Sequence, residues 1–268
     1  MFSLTQSIRA MGDAGDPLPT PFNAIERAGT KLYRGQVSLT SAGGGTGKSA
    51  FWLVWMLKAR IPTLYFSADS DAFIQTSRAI SALYQVDMEE AMSAVRRKQI
   101  AQYALRLDQC PIRFNYNASP SLDDIENSLR CWYELYNEYP HCVIVDNVTN
   151  VRTGGEANAE DPFAGLEALM DYLNTMARET GAHVAAMHHT TGPYNDGDKP
   201  IPKSGVKGQV TRVPALVFTL HKPSEDTLAV SVVKDRSGRS DATGSSFVEL
   251  RFDGQTMQIT DDVFLVAA

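Results

Sequence analysis

Ser41-Ala42-Gly43-Gly44-Gly45-Thr46-Gly47-Lys48-Ser49 is the stretch whose reading decides the fold. Before it, Gln36-Val37-Ser38-Leu39-Thr40 alternates as a short strand does. After it, Ala50 to Lys58 is apolar and free of Gly and Pro, which predicts a buried helix. Strand, glycine-rich turn and helix in that order is the context in which such a loop binds phosphate. Glycines let backbone N–H groups curl around phosphate oxygens with no Cβ in the way. The helix N-terminus adds partial positive charge at the same point. Lys48 is then placed to reach the β- and γ-phosphates of ATP, and the Ser49 hydroxyl to ligate Mg²⁺. Gly43, Gly44, Gly45, Thr46, Gly47 and Ala50 complete the expected cradle. Ala42 stands where a first glycine is usual, a position that needs only ordinary backbone geometry. The competing reading is a plain glycine-rich turn ahead of a helix.

Outward from this loop, the bulk numbers set limits. The chain has 268 residues, 43% of them hydrophobic, which suits one large domain with a real core. A formal charge of −6 argues against a protein that coats nucleic acid through a basic surface. Three cysteines, Cys110, Cys131 and Cys142, have no CxxC spacing, so a disulfide framework or zinc site is not expected and a reducing compartment fits. The longest apolar run is too short to span a bilayer, and no signal peptide is legible. A cytoplasmic protein with no membrane partner is the expectation.

The order of elements predicts an α/β fold: a mainly parallel twisted sheet with helices on both faces. Strands are expected at 63–67, 112–116, 142–145, 183–187, 215–220, 228–233 and 247–252, the last ones forming an antiparallel edge. Residues 72–108 read as mostly helical, 121–136 as a helix capped by Ser121, and 163–179 as another. Residues 1–21 read as an amphipathic arm (Leu4, Ile8, Met11) and a Gly/Pro linker, ahead of a domain over 22–268. The arm packs either on its own domain or on a neighbouring subunit. Residues 192–211 lack periodicity and read as a long mobile loop.

In such sheets ligands sit beyond the carboxyl ends of the strands. Lys48, Asp69, Asp146 and His189 all fall there. Asp146, delivered by the apolar run Cys142-Val143-Ile144-Val145, reads as the acidic group that holds Mg²⁺ with Ser49.

These motifs together resemble the RecA-like P-loop ATPase core of DnaB-type replicative helicases and their minimal plasmid and phage relatives, over about residues 20–255. Tyr65-Phe66-Ser67-Ala68-Asp69 resembles the strand that ends in the family's catalytic glutamate. The resemblance implies that Asp69 activates the attacking water, with Asp71 able to share the role. Ala185-Ala186-Met187-His188-His189-Thr190 resembles the strand ending in a γ-phosphate sensor, which implies His189 first and His188 second. Lys234-Asp235-Arg236 is similar to the family's Lys-x-Arg segment, which implies that Lys234 and Arg236 act on the next subunit's nucleotide. A basic turn between two strands is the alternative there.

The loop carrying Lys199, Lys203, Lys207 and Arg212 falls where the family contacts single-stranded DNA. The other such loop, 152–161, is acidic here (Glu156, Glu160, Asp161). The family carries a sizeable N-terminal domain, and only residues 1–21 stand in that place in this sequence. The resemblance implies a homo-oligomer, ring (hexamer) or filament, with a loader or primase as possible partner. Three functions remain open: a helicase-like motor ATPase, a RecA-like recombinase or mediator, and a nucleotide-gated assembly module with little turnover.

Overall fold

The computed structural model describes residues 2–153 and 164–261. Among these, nine strands form one sheet in the order β3-β2-β4-β5-β1-β6-β7-β8-β9. They are β1 (Val37–Ala42), β2 (Thr63–Ser67), β3 (Ile112–Asn115), β4 (Cys142–Asp146), β5 (His183–His189), β6 (Leu216–Ser224), β7 (Thr227–Asp235), β8 (Phe247–Asp253) and β9 (Gln258–Thr260). β1 to β6 run parallel, and β7, β8 and β9 add an antiparallel edge. The expected α/β architecture is therefore the observed one. β9 and a short helix, α2 (Asn23–Arg27), are additions that the sequence pattern does not signal.

The helix after the glycine-rich loop, α3 (Lys48–Ala59), is buried on nearly all sides. An apolar stretch with no polar face can only serve as a core helix. Phe51, Trp52 and Trp55 are fully buried in it and meet Phe22 of the lead-in and Phe218 of β6. Both indoles find acceptors: Trp52 Nε1 donates to Thr40 Oγ1 and Trp55 Nε1 to the Pro19 carbonyl. This cluster clamps the lead-in, α3 and the sheet together, and so fixes where the loop emerges. On the other face α7 (Leu122–Tyr136) and α8 (Ala164–Thr180) bury Ile125, Leu129, Leu169 and Leu173 against β4 and β5.

Two expectations are refined. The region 72–108 is three helices, α4 (Ala72–Tyr84), α5 (Met88–Arg96) and α6 (Ala101–Asp108). They are separated by the left-handed residues Gln85 and Lys98, at φ 58° and 57°. Neither is Gly or Pro, so composition carries no break signal. The segment 192–211 is packed rather than loose. Ile201, Val206 and Val210 are buried, Thr190 bridges Val206, and the Lys203 N–H donates to the Ala242 carbonyl. Its isolated apolar anchors flank single-turn 3₁₀ pieces, a spacing that no periodicity reveals.

The first helix, α1 (Leu4–Ala10), opens with a Ser3/Gln6 capping box yet buries nothing. Leu4 is 88% exposed, Ile8 69% and Met11 49%. Among the described residues, attachment to the domain begins where Asp13 and Gly15 meet Arg34. The acidic stretch with Glu156, Glu160 and Asp161 lies outside the described residues.

Truncating the centre of the aromatic clamp, Phe51→Ala, is expected to lower unfolding free energy by about 3–5 kcal/mol. Urea titration followed by circular dichroism reads it; a loss below about 1 kcal/mol would mean the cluster does not carry the fold.

Candidate active site

β1 lies between β5 and β6, and the chain leaves its end into the glycine-rich loop. Gly47, at φ 106° and ψ 21°, caps α3 in the left-handed region, where a side chain is disfavoured. The first-turn N–H groups of α3 have no intrahelical acceptor and face the loop. Lys48 is 9% exposed, and its ammonium donates to the carbonyls of Ala42 (3.1 Å) and Gly43 (3.4 Å). Burial lowers its pKa, while Asp146 and Asp69 oppose the shift.

Strand register brings the acidic groups beside this loop. Ser67 pairs with Asp146, and Ala42 pairs with His189. Asp146 is 2% exposed, and its Oδ2 accepts from two O–H donors: Ser49 Oγ at 2.6 Å and Tyr65 Oη at 3.0 Å. Burial raises the Asp146 carboxyl above the usual carboxylate range, against the lowering effect of those two bonds. Ser49 and Asp146 offer hard oxygen donors in contact, next to a cradle for phosphate. Mg²⁺ takes such a set, with waters and phosphate oxygens completing its shell. Among the described residues no cluster of three or more His, Cys, Asp or Glu forms a dedicated metal cage. Ser49 and Asp146 alone can thus supply two oxygen ligands to such an ion.

Asp69 is exposed, two residues past β2, and its Oδ1 accepts from Asn150 Nδ2 at 3.2 Å. Asp71 is occupied as the N-cap of α4, accepting from the Ile74 N–H. The two histidines diverge. His188 is fully buried, with Nε2 bonded to the Lys207 carbonyl, and burial lowers its pKa to about 4. His189 is half-buried at the site edge, and its Nε2 lies 2.7 Å from Asn147 Nδ2. Tyr65 and Asn147 escaped sequence reasoning. Each meets a partner far along the chain, and only the register reveals it.

The segment after β5 lies directly on the phosphate loop. A Cβ on Gly43 would stand 2.3 Å from the Asn195 carbonyl oxygen, and one on Gly197 would stand 2.4 Å from Thr46 Oγ1. Lys199 and Lys203 of this segment are exposed, and Lys207 is half-buried. Arg212 is tied to Glu167 and Asp171 of α8.

Lys234 and Arg236 lie elsewhere. β7 runs antiparallel, so Asp235 pairs with Leu216, which pairs with Ser38 at the start of β1. The phosphate loop follows the other end of β1, so the two are separated by about 17 Å of strand. Lys234 Nζ donates to three carbonyls, of Thr211, Arg212 and Pro214, which uses all its donors. Desolvation lowers its pKa to about 8. Arg236 is exposed, with one bond to the Arg212 carbonyl.

A family model described as "AAA domain" matches residues 11–192. The chain is 54% identical over 266 residues to the Gene 65 protein of Mycobacterium phage L5, covering 97% of this chain and 99% of that protein. It is 56% identical over 228 residues to the Gene 65 protein of Mycobacterium phage D29, covering 83% and 98%. Among solved structures, one described as an ATPase domain superposes with a TM-score of 0.78 at 16% identity, over 96% of this chain and 95% of that one. A DnaB-like replicative helicase, studied with its primase interactions, gives 0.79 at 16% identity, over 96% and 66%. At that identity the likeness establishes a shared fold.

The raised Asp146 pKa has a sign. A folded-state carboxyl pKa above the unfolded value means that stability falls as pH rises from the unfolded value through the folded one. Asp146→Asn removes the buried charge and keeps the size. The nucleotide-free variant is expected to melt higher at neutral pH, by about 2–4 °C per kcal/mol recovered. The two proteins should converge at about pH 3, where the carboxyl is neutral in both states. Scanning calorimetry across pH reads this; a lower melting point at neutral pH would contradict it.

Proposed function

The chain belongs to the AAA domain family and is a P-loop ATPase with the RecA-like core of DnaB-type helicases, and from that premise we propose a motor that hydrolyses ATP between subunits and grips single-stranded DNA. The observation that carries this reading is the 2.6 Å bond from Ser49 to Asp146 at the foot of the phosphate loop. Asp69 and His189 stand on the same edge of the sheet.

In this reading the Lys48 ammonium exchanges the Ala42 and Gly43 carbonyls for β- and γ-phosphate oxygens. Gly43 to Gly47, with Ala50 behind them, form the cradle. Ser49 and Asp146 would hold Mg²⁺, which would supply neutralisation of phosphate charge. Asp69, steadied by Asn150, orients the attacking water, and Asp71 is left to its helix cap. His189 contacts the terminal phosphate, whereas buried His188 supports the strand.

The sheet argues for a composite site. Arg236 lies about 17 Å of strand away from its own phosphate loop. It is therefore assigned to the ATP of a neighbouring copy, where a guanidinium stabilises charge on the transferring phosphoryl group. Lys234 serves it by gathering the 211–214 turn against the strand. The exposed apolar face of α1 supports a homo-oligomer, because Leu4, Ile8 and Met11 find no cover on their own domain among the described residues. A ring or filament follows from a head-to-tail contact of this kind. Lys199, Lys203 and Lys207 give the DNA path, and Arg212 reinforces its base through α8. They ride on the segment that touches Gly43 and Thr46, so strand engagement and nucleotide state share a contact. The DnaB-like relative's interactions with primase make a primase or loader a candidate partner.

Single-stranded DNA is expected to raise ATP turnover, and Lys48→Ala to abolish it in a folded protein. Lys203→Glu is expected to weaken DNA binding and to lower the slope of log K against log salt by roughly 0.7 per lost phosphate contact. Steady-state turnover and salt-titrated anisotropy read both. DNA-independent turnover with an unchanged slope would remove the motor reading.

A further inference from the structure

Asn147 is 1% exposed and sits between the metal-site strand β4 and the histidine of β5. Its two amide atoms are distinguished by their neighbours. Oδ1 accepts from the Thr149 N–H, and Nδ2 therefore faces His189 Nε2 at 2.7 Å. An amide nitrogen can only donate. The imidazole nitrogen it meets must then carry a lone pair, which puts the ring proton on Nδ1. No hydrogen bond is made by His189 Nδ1 among the described residues. The His189 carbonyl is separately held by Ser41 Oγ at 2.9 Å, which pins the backbone of the same residue.

We propose that Asn147 is a positioning residue that sets the tautomer of His189, so that the ring presents an Nδ1–H donor to the terminal phosphate. This rests on the reading that His189 contacts that phosphate. A neutral imidazole with the opposite tautomer would present a lone pair to an anion there and repel it. The end of β4 that carries Asp146 and the phosphate contact are thereby linked through one amide. A metal-dependent shift at the end of β4 would be felt at the ring.

The test uses the full chain with ¹⁵N-labelled histidine at a pH where the ring is neutral. Long-range ¹⁵N–¹H correlation spectra distinguish the two tautomers, and the His189 signals are assigned by their loss in His189→Gln. The wild type is expected to give the Nδ1–H pattern. Asn147→Asp is nearly isosteric but offers only acceptors, so it should move the proton to Nε2. It should also cut the preference for a nonhydrolysable ATP analogue over ADP by about tenfold or more, roughly the worth of one hydrogen bond to a charged group. An Nε2–H ring in the wild type overturns the proposal, and needs no variant to fold. So does an Nδ1–H ring that persists in folded Asn147→Asp. A separate outcome concerns the underlying reading. If the tautomer switches as stated while His189→Ala, which leaves no donor, keeps full ATP preference, His189 is not the phosphate contact, and the proposal loses its functional half.

Discussion

One carboxylate oxygen organises this molecule. Oδ2 of Asp146 takes the Ser49 hydroxyl from α3 and the Tyr65 hydroxyl from β2, so three elements meet at a single buried atom. That meeting requires β4 to lie beside β2 in the observed register, and α3 to begin immediately after the glycine-rich loop. The aromatic clamp of Phe22, Phe51, Trp52 and Trp55 sets the second condition. The cost is a charge held away from water, which raises the Asp146 pKa and leaves the unliganded site less stable than a neutral one. On the proposed reading, a stability penalty of this kind accompanies a donor set assembled before its cation and phosphate arrive.

The second organising constraint is the direction of β7. A strand antiparallel to β1 delivers its C-terminal residues to the edge of the sheet away from the phosphate loop. Lys234 and Arg236 are thereby held by topology away from their own chain's glycine-rich loop. Their division of labour follows from solvation. Lys234 is drawn inward by three carbonyls at the expense of a depressed pKa, whereas Arg236 keeps its guanidinium in water. An unburied apolar helix near the N-terminus and an outward arginine after β7 are the surface features on which the proposed assembly rests.

Much of this was legible in the sequence because the signals are local. Gly43 to Ser49 sit between a strand and a helix that their own compositions declare. The apolar runs ending at Asp146 and at His189 mark buried parallel strands and so place both residues on one edge. What was not legible depends on register or on solvation. Tyr65 reads as an ordinary strand aromatic until Asp146 is set beside it. Asn147 reads as a turn residue until β5 brings His189 within 2.7 Å. Of the two adjacent histidines, the resemblance ranked His189 first, and the structure adds that His188 is buried against the Lys207 carbonyl while His189 is half-buried at the strand's end. Gln85 and Lys98 break a helical region with left-handed backbone that their residue types do not announce. The packed segment 192–211 reads as loose because its anchors, Ile201, Val206 and Val210, follow no period.

The central claim is that the proposed active site is completed by a second copy of the chain. Turnover in mixtures of Lys48→Ala and Arg236→Ala subunits tests it most directly. Each variant alone is expected to be inactive, since one lacks the phosphate contact and the other the arginine, which in trans is worth roughly 10³ to 10⁵ in rate. Mixing is expected to restore part of the activity, because an intact loop on one subunit then faces an intact arginine on the next. Full turnover by Arg236→Ala alone would contradict the account, leaving this residue an ordinary cation in a surface turn.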